Sequence, residues 1–352
     1  HVSVCARVHP DWRRVVMEHD AYGLRIQGGR CKTRLKDVIE AKFGVGGFAR
    51  KLSSRQAVRN LRRRALAGSP SRSSEDLFWA QPEIQAQWAS ERARVMRGVR
   101  QALQAAGMDG GWFEMKELFM ADEGAKTLCA ALRALPSPLV IQKLNLSGSL
   151  LTADGVAMVM AELWDGNLGV GLTQLLLWFN PLGDDGAIAI AAALPPTLDT
   201  LCVSKTECGS KGMSALAAAL PRTQIMLLDC SLNPTVGDDG WMALGAALPQ
   251  MATLGCLNCS ENQMSAASLT ALAAGLTEPT VWSLTLDLQK SGIDDTGARV
   301  LADALPRMTR LEKLLLRGNA FGLESRAALR AAVVQHPLSH VFTLELDGDG
   351  PE

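Results

Sequence analysis

Leu172 to Leu194 reads LTQLLLWFNPLGDDGAIAIAAAL, and its period changes halfway. In the first half Leu175 and Leu177 alternate with Leu176 and Trp178, as residues on the two faces of a strand do. In the second half Gly186, Ile190 and Leu194 lie four apart, along one side of a helix. A strand, a turn around Asn180 and a helix in so short a span cannot bury their own apolar face. The unit makes sense only when stacked on copies of itself.

The copies flank it on both sides. Upstream, Leu144, Leu146, Ser149, Leu151, Gly155, Val159 and Leu163 fill the same slots. Downstream run Leu201, Val203, Thr206, Cys208, Gly212 and Leu216, then Leu228, Cys230, Asn233, Val236, Gly240 and Leu244. Three further copies carry Asn262 with Ser268, Ser291 with Gly297, and Asn319 with Ser325. A last strand around Leu344 and Leu346 has no helix after it, and Trp112 to Leu132 reads as a degenerate first copy. This array resembles the leucine-rich repeat family, in its longer ribonuclease-inhibitor-like type with a full helix per repeat. The resemblance covers about residues 110–352. It implies an α/β fold: a leucine-rich repeat solenoid with parallel strands on the concave side and helices on the convex side. To this the sequence adds a basic N-terminal region (1–66), a linker (67–81) and a capping helix (82–109).

With 47% hydrophobic and 20% charged residues the chain holds enough apolar material for a large core. Its net charge is zero, yet residues 1–110 carry 21 Lys/Arg against 10 Asp/Glu, so the remainder is acidic by the same margin. A basic arm on an acidic solenoid suits an acidic partner, nucleic acid, or the solenoid itself. Of the eight cysteines, Cys208, Cys230 and Cys259 fall in inward slots, where Cys acts as a small hydrophobe. Cys256 and Cys259 have the spacing of a redox or zinc pair, but on a strand they face opposite ways. The pattern suits an intracellular, reducing compartment, cytoplasm or organelle interior. No apolar run approaches a membrane span. The start at His1 is read as a processed or partial chain.

In the N-terminal region, residues 1–8 and 23–27 read as short strands, and Leu35 to Phe43 as an amphipathic helix. The basic arm, Arg50, Lys51, Arg55, Arg59, Arg62, Arg63 and Arg64, could meet phosphates or an acidic protein face. It has no aromatic interleaved for base stacking, which makes nucleic acid the less favoured partner. Glu83 to Ala106 reads as a helix whose stripe of Ile84, Trp88, Val95, Val99 and Leu103 would cover the open end of the array.

Within the repeats Asn180, Asn233, Asn262 and Asn319, with Ser149, Thr206 and Ser291, are expected to form a side-chain ladder that satisfies turn backbone groups. The pairs Asp184-Asp185, Asp238-Asp239 and Asp294-Asp295 stand at helix starts, where a carboxylate caps N–H groups; that reading outweighs calcium binding. An enzymatic reading fails on inventory: no His lies between His19 and His336, and the repeats show no nucleophile set, phosphate loop or metal cluster. No cofactor or small-molecule substrate is expected.

The remaining function is binding. The resemblance implies partner contacts at the variable concave slots, which here are apolar at Leu176, Trp178 and Phe179 and again at Met226, Leu227 and Leu232. A Trp side chain carries about 150–250 Å², worth several kcal/mol at about 25 cal/mol/Å² when removed from water. The helical stretches Gly186 to Leu194, Gly212 to Leu220, Gly240 to Leu248 and Ser268 to Leu276 lack charge, either because they are rich in alanine or because a neighbouring subunit covers them. The expected role is a protein-interaction scaffold or accessory subunit of a multi-subunit complex. Two rivals stand beside it: a small-GTPase regulator, since similar repeats occur in Ran GTPase-activating proteins, and an RNA-contacting subunit of a ribonucleoprotein.

Overall fold

A computed structural model describes residues 19–20, 23–24, 111–114, 121–133, 141–165, 169–277 and 284–347. The basic arm, the linker and the capping helix lie outside them, as do the expected strand at 1–8 and the helix at 35–43. Of the N-terminal region it describes β1 (His19–Asp20), antiparallel to β2 (Gly23–Leu24).

From residue 111 the chain alternates strand and helix. The strands are β3 (Gly111–Glu114), β4 (Ile141–Asn145), β5 (Gln174–Leu176), β6 (Thr200–Cys202), β7 (Leu227–Asp229), β8 (Cys256–Asn258), β9 (Leu284–Asp287), β10 (Leu311–Leu315) and β11 (Thr343–Glu345). All nine join one parallel sheet in sequence order. The helices are α1 (Ala121–Arg133), α2 (Ala153–Asp165), α3 (Gly183–Ala192), α4 (Ser210–Ala219), α5 (Asp238–Ala247), α6 (Ala266–Gly275), α7 (Asp295–Ala304) and α8 (Leu323–Gln335), one after each strand from β3 to β10. Sequential parallel pairing with every helix on one side gives an open leucine-rich repeat solenoid, as the repeat pattern predicts. Among the described residues no helix is long and apolar enough to cross a membrane.

The core is the stack of inward slots. Leu144, Leu175, Leu201, Leu228, Leu257, Leu286 and Leu314 sit side by side in register, each almost fully buried. Cys208, Cys230 and Cys259 occupy buried slots of the same stack, and the Cys230 and Cys259 sulfurs are 3.6 Å apart. Cys256, on the other face of β8, is half-buried. The glycine marker lets neighbouring helices close up: a methyl group on Gly212 would stand 2.7 Å from the Ala187 methyl.

The Asn ladder is present and has a direction. Asn180 Oδ1 accepts from the Ser149 and Leu151 amides, both at 3.0 Å, while Nδ2 donates to the Leu146 and Leu177 carbonyls. Asn233 serves Thr206 and Cys208 in the same way, and Asn319 serves Ser291 and Ile293. Each Asn therefore staples the preceding repeat to its own. Leu150, Glu207 and Gly292 have φ of 60°, 60° and 68°. Each directly follows a Ser or Thr of the ladder, where the next repeat's Asn holds the turn.

The acidic residues cap helices, but three of them act on the following repeat. Asp184 Oδ1 accepts from the Gly209 amide at 2.9 Å and the Gly212 amide at 2.7 Å, at the start of α4. Asp238 accepts from the Ser265 and Ser268 hydroxyls ahead of α6, and Asp295 from the Gly322 amide and Ser325 hydroxyl ahead of α8. Asp294 caps its own helix through the Gly297 amide. Local reasoning assigns all of these to their own helices; the close stacking of neighbours puts the next N-terminus within reach of the same carboxylate.

Candidate protein-binding face

The side of the sheet opposite the helices is lined by the residues that alternate with the buried leucines. Register defines two rows across β4 to β11. One runs Lys143, Gln174, Thr200, Leu227, Cys256, Thr285, Lys313 and Thr343. The other runs Asn145, Leu176, Cys202, Asp229, Asn258, Asp287, Leu315 and Glu345.

The second row contains a device that the apolar reading of the face overlooked. Asn145, Asp229, Asn258 and Asp287 each accept, through Oδ1, from the amide two residues on: Ser147, Ser231, Ser260 and Gln289, at 3.0 to 3.1 Å. These Asx turns end the strands and lay a polar ridge along the face. The ridge is spelled in the sequence as Asn-Leu-Ser, Asp-Cys-Ser, Asn-Cys-Ser and Asp-Leu-Gln at one repeat slot. Cys202 donates to Asp229 Oδ2 at 3.5 Å, and burial together with that carboxylate pushes its thiol well above the ordinary range.

Leu176 and Trp178 replace the ridge on β5. Leu176, Trp178 and Phe179 are all half-buried. The Trp178 and Phe179 rings meet edge to face, with centroids 5.8 Å apart, and the Lys205 ammonium lies 4.6 Å over the Phe179 ring. Met226, Leu227 and Leu232 are half-buried two strands away. With β6 between them, the six residues form two apolar spots about 10 Å apart across the sheet, separated by Thr200, Cys202 and Ser204. Phe179 and Leu232 share one turn position with Lys205, Glu261 and Lys290, all with φ between 51° and 65°. Their amides reach the next repeat, as in Phe179 N to Ser204 O at 2.9 Å and Leu232 N to Ser260 O at 3.0 Å. That bond supports a conformation costing an L-residue roughly 1–2 kcal/mol. The same bond holds the turn at Phe179, Lys205, Leu232, Glu261 and Lys290, so the backbone there is kept while the side chain varies.

On the convex side α3 to α6 carry no charge after their first turns and present mostly alanine: Ala192, Ala218, Ala246 and Ala274 are exposed. Ile188 and Met242, 43% and 51% exposed, are the large apolar exceptions on α3 to α6. Among the described residues no group of three or more His, Cys, Asp or Glu is arranged to hold a metal ion.

These features define a leucine-rich repeat solenoid with a patterned concave face. Over 211 residues, 60% of its length, the chain is 30% identical to the NACHT, LRR and PYD domains-containing protein 5 of Bos taurus. The matched part is 16% of that protein, so the chain spans a small fraction of the relative's length. No protein-family model matches the chain. The shared repeats point to a role in protein interaction.

Proposed function

We infer that the chain is a non-enzymatic interaction subunit that binds a protein partner on its concave face and works within a multi-subunit complex in an intracellular, reducing compartment. The observation that carries this is the break in the polar ridge at β5. On β4, β7, β8 and β9 the slot is held by an Asn or Asp bonded to the amide two residues on, whereas β5 presents Leu176 with Trp178, whose ring packs on Phe179. An aromatic anchor ringed by polar groups is the usual make-up of an interface hot spot. The helices of 10 to 13 residues support the ribonuclease-inhibitor-like subtype.

The test compares full-length chains recovered from source-cell extracts after nuclease treatment. Leu227→Asp and Trp178→Ala are expected to lose protein partners that the wild type and Met242→Asp retain. Equal loss with Met242→Asp moves the interface to the convex helices. Loss of all partners on nuclease treatment replaces the protein partner with nucleic acid.

A further inference from the structure

The concave face has an electrostatic pattern as well as apolar spots. Among the described residues, the strand positions of β5 to β9 that face the concave side and the slots just before them carry three carboxylates, Asp199, Asp229 and Asp287, and no Lys or Arg, while the turn position after the strands, shared with Phe179 and Leu232, carries Lys205, Glu261 and Lys290. Basic groups stand at its margins and are engaged there: Lys205 over Phe179, Lys290 with Glu261 at 3.5 Å, and Lys313 with Glu345 at 2.7 Å. Asp229 is 5% exposed and the other two are half-buried, so their field is less screened than that of surface charges. Leu176 and Leu227 lie among them. A ligand matched to this surface carries several cations interleaved with aliphatic side chains.

The chain contains such a segment. Residues 50–64 read RKLSSRQAVRNLRRR: seven cations with Leu52, Val58 and Leu61 between them. They belong to residues 1–110, which are basic by 11 charges, and the face belongs to residues 111–352, which are acidic by 11. The 46 residues from 65 to 110 connect the segment to β3. They reach about 150 Å if extended and roughly 70 Å even if wholly helical. The four strand spacings from β5 to β9 total only about 19 Å. A tether of this kind holds its segment at an effective concentration on the order of 1 mM. An intrinsic affinity of only about 0.1 mM then keeps the face roughly nine-tenths occupied.

We propose that residues 50–64 dock intramolecularly on the concave face between β5 and β9, so that a partner must displace the chain's own basic segment to bind. The proposal rests on the concave face being the binding surface. It gives the basic arm a protein target within its own chain and makes partner binding competitive and salt-dependent.

The probe is a fluorescent peptide of residues 48–66, titrated by anisotropy into three full-length chains. These are the wild type, a chain with Arg59→Gln, Arg62→Gln, Arg63→Gln and Arg64→Gln, and that chain with Asp199→Asn, Asp229→Asn and Asp287→Asn added. Asn is tolerated at the last two slots, because Asn145 and Asn258 hold the same row position with the same Asx bond. The single Asp287→Asn gives a smaller effect of the same sign should the triple change unfold the chain. Expected are binding to the arm-neutralised chain at least tenfold tighter than to the wild type, and at least tenfold weakening by the Asp→Asn changes. Equal affinity for wild type and arm-neutralised chain, still lost with the Asp→Asn changes, overturns self-docking while leaving the concave face a binding surface. Affinity indifferent to the Asp→Asn changes places the peptide elsewhere and overturns the docking site. Absence of binding to every chain overturns the proposal outright.

Discussion

Asn233→Ala should be among the most damaging single changes to the array, and the structure sets the size of the effect. Asn233 is fully buried. Its Nδ2 donates to the carbonyls of Val203, Cys230 and Ser231. All three keep another donor when it goes: the Thr206 hydroxyl, the Asn262 amide and the Lys205 backbone N–H respectively. The loss falls instead on the Thr206 and Cys208 amides, which Asn233 Oδ1 accepts at 3.0 and 3.1 Å. Two buried N–H groups left without an acceptor cost about 1–3 kcal/mol each, so roughly 3 kcal/mol in all is expected once the turn relaxes. Thr206→Val is the control. It removes one hydroxyl bond to the Val203 carbonyl, which Asn233 still serves, and should cost about 1 kcal/mol. Urea unfolding of the full chain by circular dichroism measures both, with the slope showing whether the same surface unfolds. Equal losses for the two variants, or a loss under about 1 kcal/mol for Asn233→Ala, would refute the directional ladder.

Gly275→Ala should destabilise the array by about 1–3 kcal/mol, because the added methyl would stand 2.1 Å from the Gly245 carbonyl oxygen and force α5 and α6 apart; an unchanged urea midpoint would show that the helices separate freely. Hydrogen bonds from the Ser325 hydroxyl and the Gly322 amide hold the Asp295 carboxyl below its ordinary value of 3.8. Its contribution is therefore complete above that pH and is lost as pH falls through the lower native value. Asp295→Asn should consequently flatten the acid limb of a stability-against-pH curve below about pH 4, and a limb identical to the wild type would remove Asp295 from the account. Burial pushes the Cys129 thiol up to about 11 and that of Cys208 to about 12, whereas Cys256 is half-buried. Thiol labelling near pH 8 with peptide mapping should therefore modify Cys256 well before Cys129, Cys208 or Cys230; early labelling of Cys230 would mean that the stacked strands open readily.

The fold was legible because its determinants repeat. A leucine at one slot can be chance, but Leu175, Leu201, Leu228 and Leu257 at the same slot of successive repeats require one stack, and they form it. What the sequence hid is the neighbour in each interaction. Asp184 looks the same whether it caps its own helix or the next, and only the helix packing decides for Gly209 and Gly212. The concave site was legible in part. Trp178 and Leu227 stand out by hydrophobicity, whereas the polar ridge escaped because Asn, Asp and Ser on a strand read as ordinary solvated residues. Spacing could have exposed it, since Asn145, Asp229, Asn258 and Asp287 share a slot and a partner two residues on. Trp178 also proves less simple than its type suggests: its indole packs on Phe179 and is half-buried. Truncating it should cost some stability as well as binding.

The concave binding face is tested most directly by site-specific photo-crosslinking in the source cells. A benzophenone amino acid replaces Leu227 on the concave face in one chain and Met242 on the convex helix α5 in another. Both chains also carry the Arg59, Arg62, Arg63 and Arg64 to Gln changes, so that the chain's own segment does not compete. Nuclease-resistant adducts to a second polypeptide are expected from position 227 and none from position 242. Adducts from 242 alone, or nucleic acid in place of protein at 227, would contradict it.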